Sequence, residues 1–177
     1  MPSAPETTTK VWDPFVRVFH WSLVVLFTAA YLTSEIWERG HIVIGYAIAA
    51  LVGLRVVWGF VGTRHARFSD FIHGPRAVIA YVRDDLAGRA RRYIGHNPAG
   101  GAMIIALIAA LSATCGAGYL MTTDAFWGVK WLEEVHEFSA NATVGLVALH
   151  VLGVIYSSVM HGENLVRAMI TGRKRAP

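Results

Sequence analysis

The chain has 177 residues, a formal net charge of +4, a hydrophobic fraction of 54% and only 16% charged residues. This composition is too apolar for an ordinary soluble domain and predicts one membrane domain over residues 1–177, with no nucleic-acid partner. Cys115 is the one cysteine, so no intrachain disulfide is possible, and the sequence lacks the C-x-x-C-H motif of c-type haem attachment.

Four apolar segments are long enough to cross a bilayer, which requires about 20 residues each in helical form. They are predicted at residues 16–34, 41–62, 99–121 and 135–160. The polar N-terminal tail has little positive charge, and the apolar run after it is long enough to stay in the membrane. We therefore interpret that run as a retained span and not as a cleaved signal peptide. The predicted fold is an all-α bundle of four transmembrane helices.

The connection between the second and third spans, residues 62–98, is the longest and contains seven arginines. Within it the stretch SDFIHGPRAVIAYVRDDLAG predicts a short amphipathic helix that begins at Ser69 or Asp70 and restarts after the Gly74–Pro75 turn. Two interpretations are open: the helix lies on the membrane and contacts anionic lipid, or it is part of a solvated helical hairpin.

Basic residues predict the orientation of the bundle. Nearly all Lys and Arg lie in the two termini and the long loop, whereas the opposite turns contain only Arg39 and Lys130. Cytoplasmic segments of membrane proteins are enriched in Lys and Arg. We therefore expect a multi-pass protein of the bacterial inner membrane with both termini in the cytoplasm.

Two histidines of the fourth span, His136 and His150, are fourteen residues apart. In a helix this spacing corresponds to about 21 Å along the axis and a net rotation of about 40°, so both rings lie on one stripe. One metal ion cannot bind both, but two haems at two depths can, because haem iron takes axial imidazole ligands.

Histidines at matching depths are present on the first two spans. His41 opens the second span level with His136, and His20 lies one or two turns inside the first span, at a looser match to His150. The arrangement predicts an outer haem between His41 and His136 and an inner haem between His20 and His150. Taken singly, a histidine at a helix end is more often an interfacial residue than a ligand. An unpaired imidazole deep in hydrocarbon, as at His150, costs several kcal/mol.

The other four histidines lie in the long loop or at the cytoplasmic boundary. We expect solvent or lipid headgroups to surround them, and a contact with a haem propionate or a quinone is the alternative. The four are His65, His73, His96 and His161.

Several motifs together identify a family. They are DPFVRVFHW at the first span, HIVIGY at the second with Arg55 ten residues after Gly45, GHNPAGG at the third, and H-x13-H in the fourth. In these the chain resembles the bacterial cytochrome b561 and nickel–iron hydrogenase cytochrome b family over nearly its whole length. The resemblance implies a four-helix bundle with two b-type haems that passes electrons between a redox partner and the quinone pool. Its ligand positions match the same four histidines.

Small and basic residues near the histidines are further candidates for haem contact. Gly45, Gly53 and Gly145 fit either room for a porphyrin or small-residue helix packing. Arg17 and Arg55 fit either the anionic propionates or snorkelling to headgroups. Residues 116–118 on the third span, with no ligand expected beside them, are assigned to helix packing.

The primary hypothesis is that the protein is an electron carrier. The one reaction it would catalyse is electron exchange with a quinone, and no catalytic side chain is assigned. A periplasmic cytochrome c, a dehydrogenase or superoxide would exchange electrons with the quinone pool through two haems b. A second hypothesis is a haem-bearing membrane anchor subunit of a larger periplasmic oxidoreductase such as a hydrogenase or dehydrogenase. A third, a histidine-lined transporter, is disfavoured because the spans lack Asp and Glu relays. The direction of electron flow and the oligomeric state stay open.

Overall fold

A computed structural model describes residues 7–176, in which the chain is mostly helical. Its helices are α1 Pro14–Thr33, α2 Glu38–Val61, α3 Phe68–Phe71, α4 Pro75–Leu86, α5 Pro98–Met121, α6 Lys130–Met160 and α7 Leu165–Thr171, with a 3₁₀ turn at Arg64–Ala66. Two short strands, β1 Thr8–Lys10 and β2 Arg173–Arg175, pair antiparallel. Residues 1–6 of the predicted cytoplasmic tail lie outside the described residues.

Four helices, α1, α2, α5 and α6, are long and apolar enough to cross a membrane, which confirms the four predicted spans. The largest difference is at α6, which begins at Lys130, five residues before the predicted start. Residues 130–134, KWLEE, are too charged to be recognised as membrane-spanning, but Lys, Leu and Glu are good helix formers.

The long loop contains two helices where the sequence predicted one that restarts. The short α3 ends at Phe71, and α4 begins at Pro75, with Gly74 as its N-cap. Proline suits the first position of a helix because its missing N–H would have no partner there. Helix α7, LVRAMIT, and the two strands were not predicted, since segments of seven and three residues are too short to show a clear periodic pattern.

The membrane helices pack in chain order. Helix α1 lies against α2, α2 against α5, and α5 most extensively against α6. Ala30, Ile48, Val52 and Leu111 form the apolar core between α1, α2 and α5. Neither α1 nor α2 has comparable backbone packing against α6. A space therefore separates α6 from the first two helices.

Both termini and the long loop meet at one end of the bundle, which we call the inner end. Glu163 joins them through ion pairs with Arg92 (2.8 Å) and Lys174 (3.2 Å), and Lys174 Nζ donates to Tyr93 O at 3.0 Å. Burial alone would raise the pKa of Glu163, but the hydrogen bond from Arg92 and the charge of Lys174 lower it below its ordinary value. These contacts attach the C-terminal segment to the loop.

Asp13 connects the start of α1 to the end of α2. Its carboxylate, 6% exposed, caps α1 by accepting from Val16 N at 2.9 Å. It also accepts from Trp58 Nε1 at 3.2 Å and from Thr63 Oγ1 at 2.6 Å. Burial alone would raise the pKa of Asp13, but these hydrogen bonds, that from Thr63 foremost, hold it below its ordinary value. Asp13 thereby fixes the depth at which α1 begins.

The Asp13→Asn substitution should lower stability by about 1–3 kcal/mol, because buried donors lose a charged acceptor. The depressed pKa means that this contribution is complete above the ordinary Asp pKa of about 4 and is lost as the pH falls through the folded value. Thermal unfolding of the protein in detergent, followed by helical circular dichroism, measures the difference. Asp124→Asn, at an exposed carboxylate, is the control. Equal melting of Asp13→Asn and wild type at pH 7 would contradict the assignment.

Candidate functional site

At the inner end of the space beside α6, His20 of α1 faces His150 of α6. Their ring centroids are 6.4 Å apart, with an angle of 55° between the ring planes. Both residues are half-buried, and His20 Nδ1 is fully buried without a hydrogen-bond partner among the residues that the structure describes. We call these two residues the inner pair.

At the opposite, outer end, His41 of α2 faces His136 of α6 with ring centroids 5.9 Å apart. We call these two residues the outer pair. Each ring contacts a backbone carbonyl of a neighbouring helix: His41 Nδ1 lies 2.9 Å from Ala30 O, and His136 Nδ1 lies 2.9 Å from Thr114 O. A carbonyl only accepts, so Nδ1 is the protonated nitrogen in each ring, and Nε2 has a free lone pair.

The spacing of both pairs suits a metal ion held between two imidazoles. Bonds of about 2 Å, plus about 1 Å from nitrogen to ring centre on each side, separate two opposed imidazole centres by about 6 Å. Within residues 7–176 there is no cluster of three or more His, Cys, Asp or Glu side chains arranged for a metal. Two imidazoles without further side-chain ligands fit an ion whose remaining positions are filled by a macrocycle.

Two arginines lie at the inner level. Arg55 of α2 is only 3% exposed; its Nη2 donates to Ala66 O at 3.1 Å, and its Nη1 is buried without a partner in the described part of the chain. Arg17, one turn before His20, donates through Nη2 to Ile170 O, and its Nε is likewise buried and unpaired there. Buried unpaired donors of this kind are costly unless another group accepts from them.

The predicted glycines differ in their surroundings. Gly45 is half-buried, whereas Gly53 and Gly145 are exposed. A Cβ built on any of the three would meet nothing within 4 Å, so each leaves open space.

Gly118 corrects one sequence interpretation. Residues 116–118 were assigned to packing without a ligand nearby, but a Cβ on Gly118 would lie 3.0 Å from Cε1 of His136. Gly118 therefore leaves room for the ring of His136, whereas a Cβ on Gly116 would have no neighbour within 4 Å.

His96 is a buried histidine of the long loop at the inner end. Its ring centroid lies 4.5 Å from that of Trp12 and 5.0 Å from that of Phe71, and its buried Nδ1 has no partner among the described residues. Burial, with the nearby charge of Arg55, lowers the pKa of His96 to about 3, so the ring is neutral. The other two loop histidines make local contacts. His65 Nδ1 lies 3.1 Å from Asp70 Oδ2, and His73 Nδ1 lies 2.9 Å from Phe71 O.

Sequence reasoning missed the two carbonyl acceptors and Gly118. The backbone oxygens of Ala30 and Thr114 leave no signal in residue identity. The partners of His96 depend on how the loop folds over the inner end, although its place in GHNPAGG marks it as one of the residues that carry the family resemblance.

Known proteins identify the family of the chain. The family described as prokaryotic cytochrome b561 matches residues 11–172. A protein of Rhodobacter capsulatus, named probable Ni/Fe-hydrogenase B-type cytochrome subunit, is similar at 25% identity, over 96% of this chain and 82% of that protein. A Bradyrhizobium diazoefficiens protein of the same name is 22% identical over 95% of this chain and 86% of its own length. The chain therefore belongs to the prokaryotic cytochrome b561 family and is a multi-pass bacterial membrane protein that binds b-type haem for electron transport.

Proposed function

We propose that the chain transfers electrons across the membrane through two b-type haems, one held by the outer pair and one by the inner pair. The observation that carries this proposal is the presence of two facing imidazole pairs at two levels of one space, each with the spacing of opposed axial ligands. When bound, each haem supplies a one-electron carrier. The two histidine pairs would hold the haems by supplying ring nitrogens to each iron.

The inner level fits the anionic edge of a haem. The unpaired buried nitrogens of Arg17 and Arg55 lie at the level of the inner pair and need an acceptor. Haem propionates are carboxylates, which guanidinium groups bind through charge-assisted hydrogen bonds. This supports Arg17 and Arg55 as propionate ligands of the inner haem.

The outer level fits axial ligation. Because Nδ1 of His41 and of His136 donates to a carbonyl, Nε2 of each ring is available for iron, and the rings are held in orientation. Gly145 is exposed and follows His136 by nine residues, a net rotation of about 180° around α6, so its open space faces away from the outer pair. The open space beside Gly45, one turn after His41, leaves room for a flat macrocycle. Gly53, which is exposed near the middle of α2, is proposed as a further haem contact on the same ground.

We place both termini in the cytoplasm. The pairing of β1 with β2 and the Glu163 ion pairs bring the two termini and the arginine-rich loop to the same end. The positive-inside rule assigns such an end to the cytoplasm.

Helix α4 is proposed to lie along the cytoplasmic membrane surface and contact anionic lipid. It packs on the bundle through Tyr81, and Tyr156 of α6 donates to Asp85 O at 3.0 Å. Ile79, Val82 and Leu86 form an exposed apolar stripe on the adjoining flank. Arg76 and Arg83 lie next to this stripe on the helix surface. In that position they would bind anionic lipid headgroups while the stripe contacts the apolar part of the membrane.

The redox partners are proposed to be the quinone pool and a protein or small donor at the outer end, such as a periplasmic cytochrome c, a dehydrogenase or superoxide. The second candidate is a haem-bearing anchor subunit of a periplasmic oxidoreductase, which the names of both relatives favour. Reduction of the haems of the isolated chain by a short-chain quinol supports direct quinone exchange. Stoichiometric co-purification of an oxidoreductase, without that reaction, supports the anchor. The transporter hypothesis has no support in this family.

His150→Ala should lower the haem content from two to one per chain, because the inner haem loses an axial ligand while the outer pair is intact. A pyridine haemochrome assay against protein concentration measures the ratio. His73→Ala, at an exposed loop histidine, is the control and should keep two haems. Two haems in His150→Ala would refute the inner pair as ligands.

Gly118→Ala should disturb the outer haem selectively. The new methyl would press on the ring of His136, which cannot move freely while its Nδ1 donates to Thr114 O. Electron paramagnetic resonance of the oxidised protein should show a changed signal for one haem only. Gly116→Ala adds the same methyl two residues away in open space and should leave both signals unchanged. Equal spectra for the two variants would contradict the contact.

A further inference from the structure

We infer that the inner haem has the higher reduction potential, so that electrons entering at the outer haem run toward the inner end. This inference rests on the proposed two-haem function. Two differences between the levels support it: the position of Arg55, and the hydrogen bonds of the histidine rings.

Arg55 lies at the level of the inner pair. Helices α2 and α6 both run from the outer end to the inner end, and His41 faces His136 at the outer level. Arg55 follows His41 by fourteen residues, and His150 follows His136 by the same number. Fourteen residues advance a helix by about 21 Å and rotate it by about 40°, so Arg55 and His150 reach the same depth on corresponding stripes.

Arg55 is held in place without a carboxylate partner from the described chain. Bound to a propionate, as proposed above, its positive charge would offset the negative charge of that propionate, which otherwise favours oxidised iron. The Arg55 guanidinium lies over the rings of Phe68 (5.5 Å) and Phe71 (5.9 Å) and donates to a carbonyl, Ala66 O. No ion pair joins Arg55 to a carboxylate among residues 7–176. Asp13 acts on it electrostatically but is occupied by three other donors. A buried positive charge favours the reduced form of a nearby iron because reduction removes one positive charge.

The outer level has the opposite character. Charged side chains at that end are exposed, and most are acidic; the exposed acidic residues are Glu35, Glu38, Asp124, Glu133, Glu134 and Glu137. Water screens such charges, so they act weakly on a buried iron, and what remains favours the oxidised form.

Ring hydrogen bonds add to the difference. Both outer rings donate through Nδ1 to a carbonyl at 2.9 Å, which increases the basicity of Nε2 and stabilises oxidised iron. At the inner level, the buried His20 Nδ1 has no acceptor in the described part of the chain. His20 would therefore be a weaker ligand than either outer ring, which would raise the potential of the inner haem.

The resulting step is a one-electron transfer. With haem held at both levels, one electron would pass from ferrous iron at the outer pair to ferric iron at the inner pair, leaving ferric iron outside and ferrous iron inside, and no proton would move. A unit charge within about 10 Å, in a medium of effective dielectric constant about 20, changes such an equilibrium by about tenfold.

A potentiometric titration of the purified two-haem protein, followed at the b-type α band, tests this inference. Arg55→Gln should lower the higher of two midpoint potentials by about 59 mV, the equivalent of tenfold for one electron, and leave the lower one unchanged. Arg55→Lys, which keeps the charge, should preserve most of the higher potential. Arg64→Gln, in the 3₁₀ turn that follows α2 and with its side chain 81% exposed, is the control.

The outcomes separate this inference from the proposed function. A wild-type protein with fewer than two haems would refute the two-haem function before any titration. Two haems with the lower wave shifted by Arg55→Gln, or with neither wave shifted, would refute only the order of potentials. An equal shift in Arg55→Lys and Arg55→Gln would mean that packing, and not charge, is responsible, and would also overturn it. The wave that persists in His150→Ala should be the lower one.

Discussion

The structure depends on the need of buried imidazole and guanidinium groups for a partner inside the membrane. Helix α6 is held against α5 and stands apart from α1 and α2, and four histidines project into the space between them. The outer rings find carbonyl acceptors, but buried guanidinium nitrogens of Arg17 and Arg55 have none among the described residues. Unpaired groups of this kind cost free energy in a low dielectric, so the fold is completed by a cofactor that the chain itself does not supply.

The end where the termini meet sets the depth of the inner pair. Asp13 caps α1 and holds the end of α2, and Arg17 follows one turn later, one turn before His20. Glu163, Arg92 and Lys174 attach the segment after α6 to the loop that precedes α5. The polar contacts of this end therefore position α1 relative to α6 without continuous helix packing between them, which keeps the space beside α6 open.

The spans and the histidine stripe could be predicted from the sequence because both follow from helix geometry alone. Hydropathy over about 20 residues identifies a span, and the separation of His136 from His150 fixes their relative depth and direction. The start of α6 was predicted late because its first turn, at residues 130–134, is charged. Contacts made between helices were not predictable. The acceptors of His41 and His136 are backbone oxygens, and the role of Gly118 depends on which ring packs against it.

The proposed function places two irons between two histidine pairs at different depths. An anomalous-diffraction map of the haem-loaded protein, collected at the iron edge, tests it most directly. We expect two peaks, one between His41 and His136 and one between His20 and His150. The two peaks should be about 21 Å apart along α6, the rise of fourteen helical residues. A single peak, or a peak at His73 or His161 with either pair empty, would contradict it.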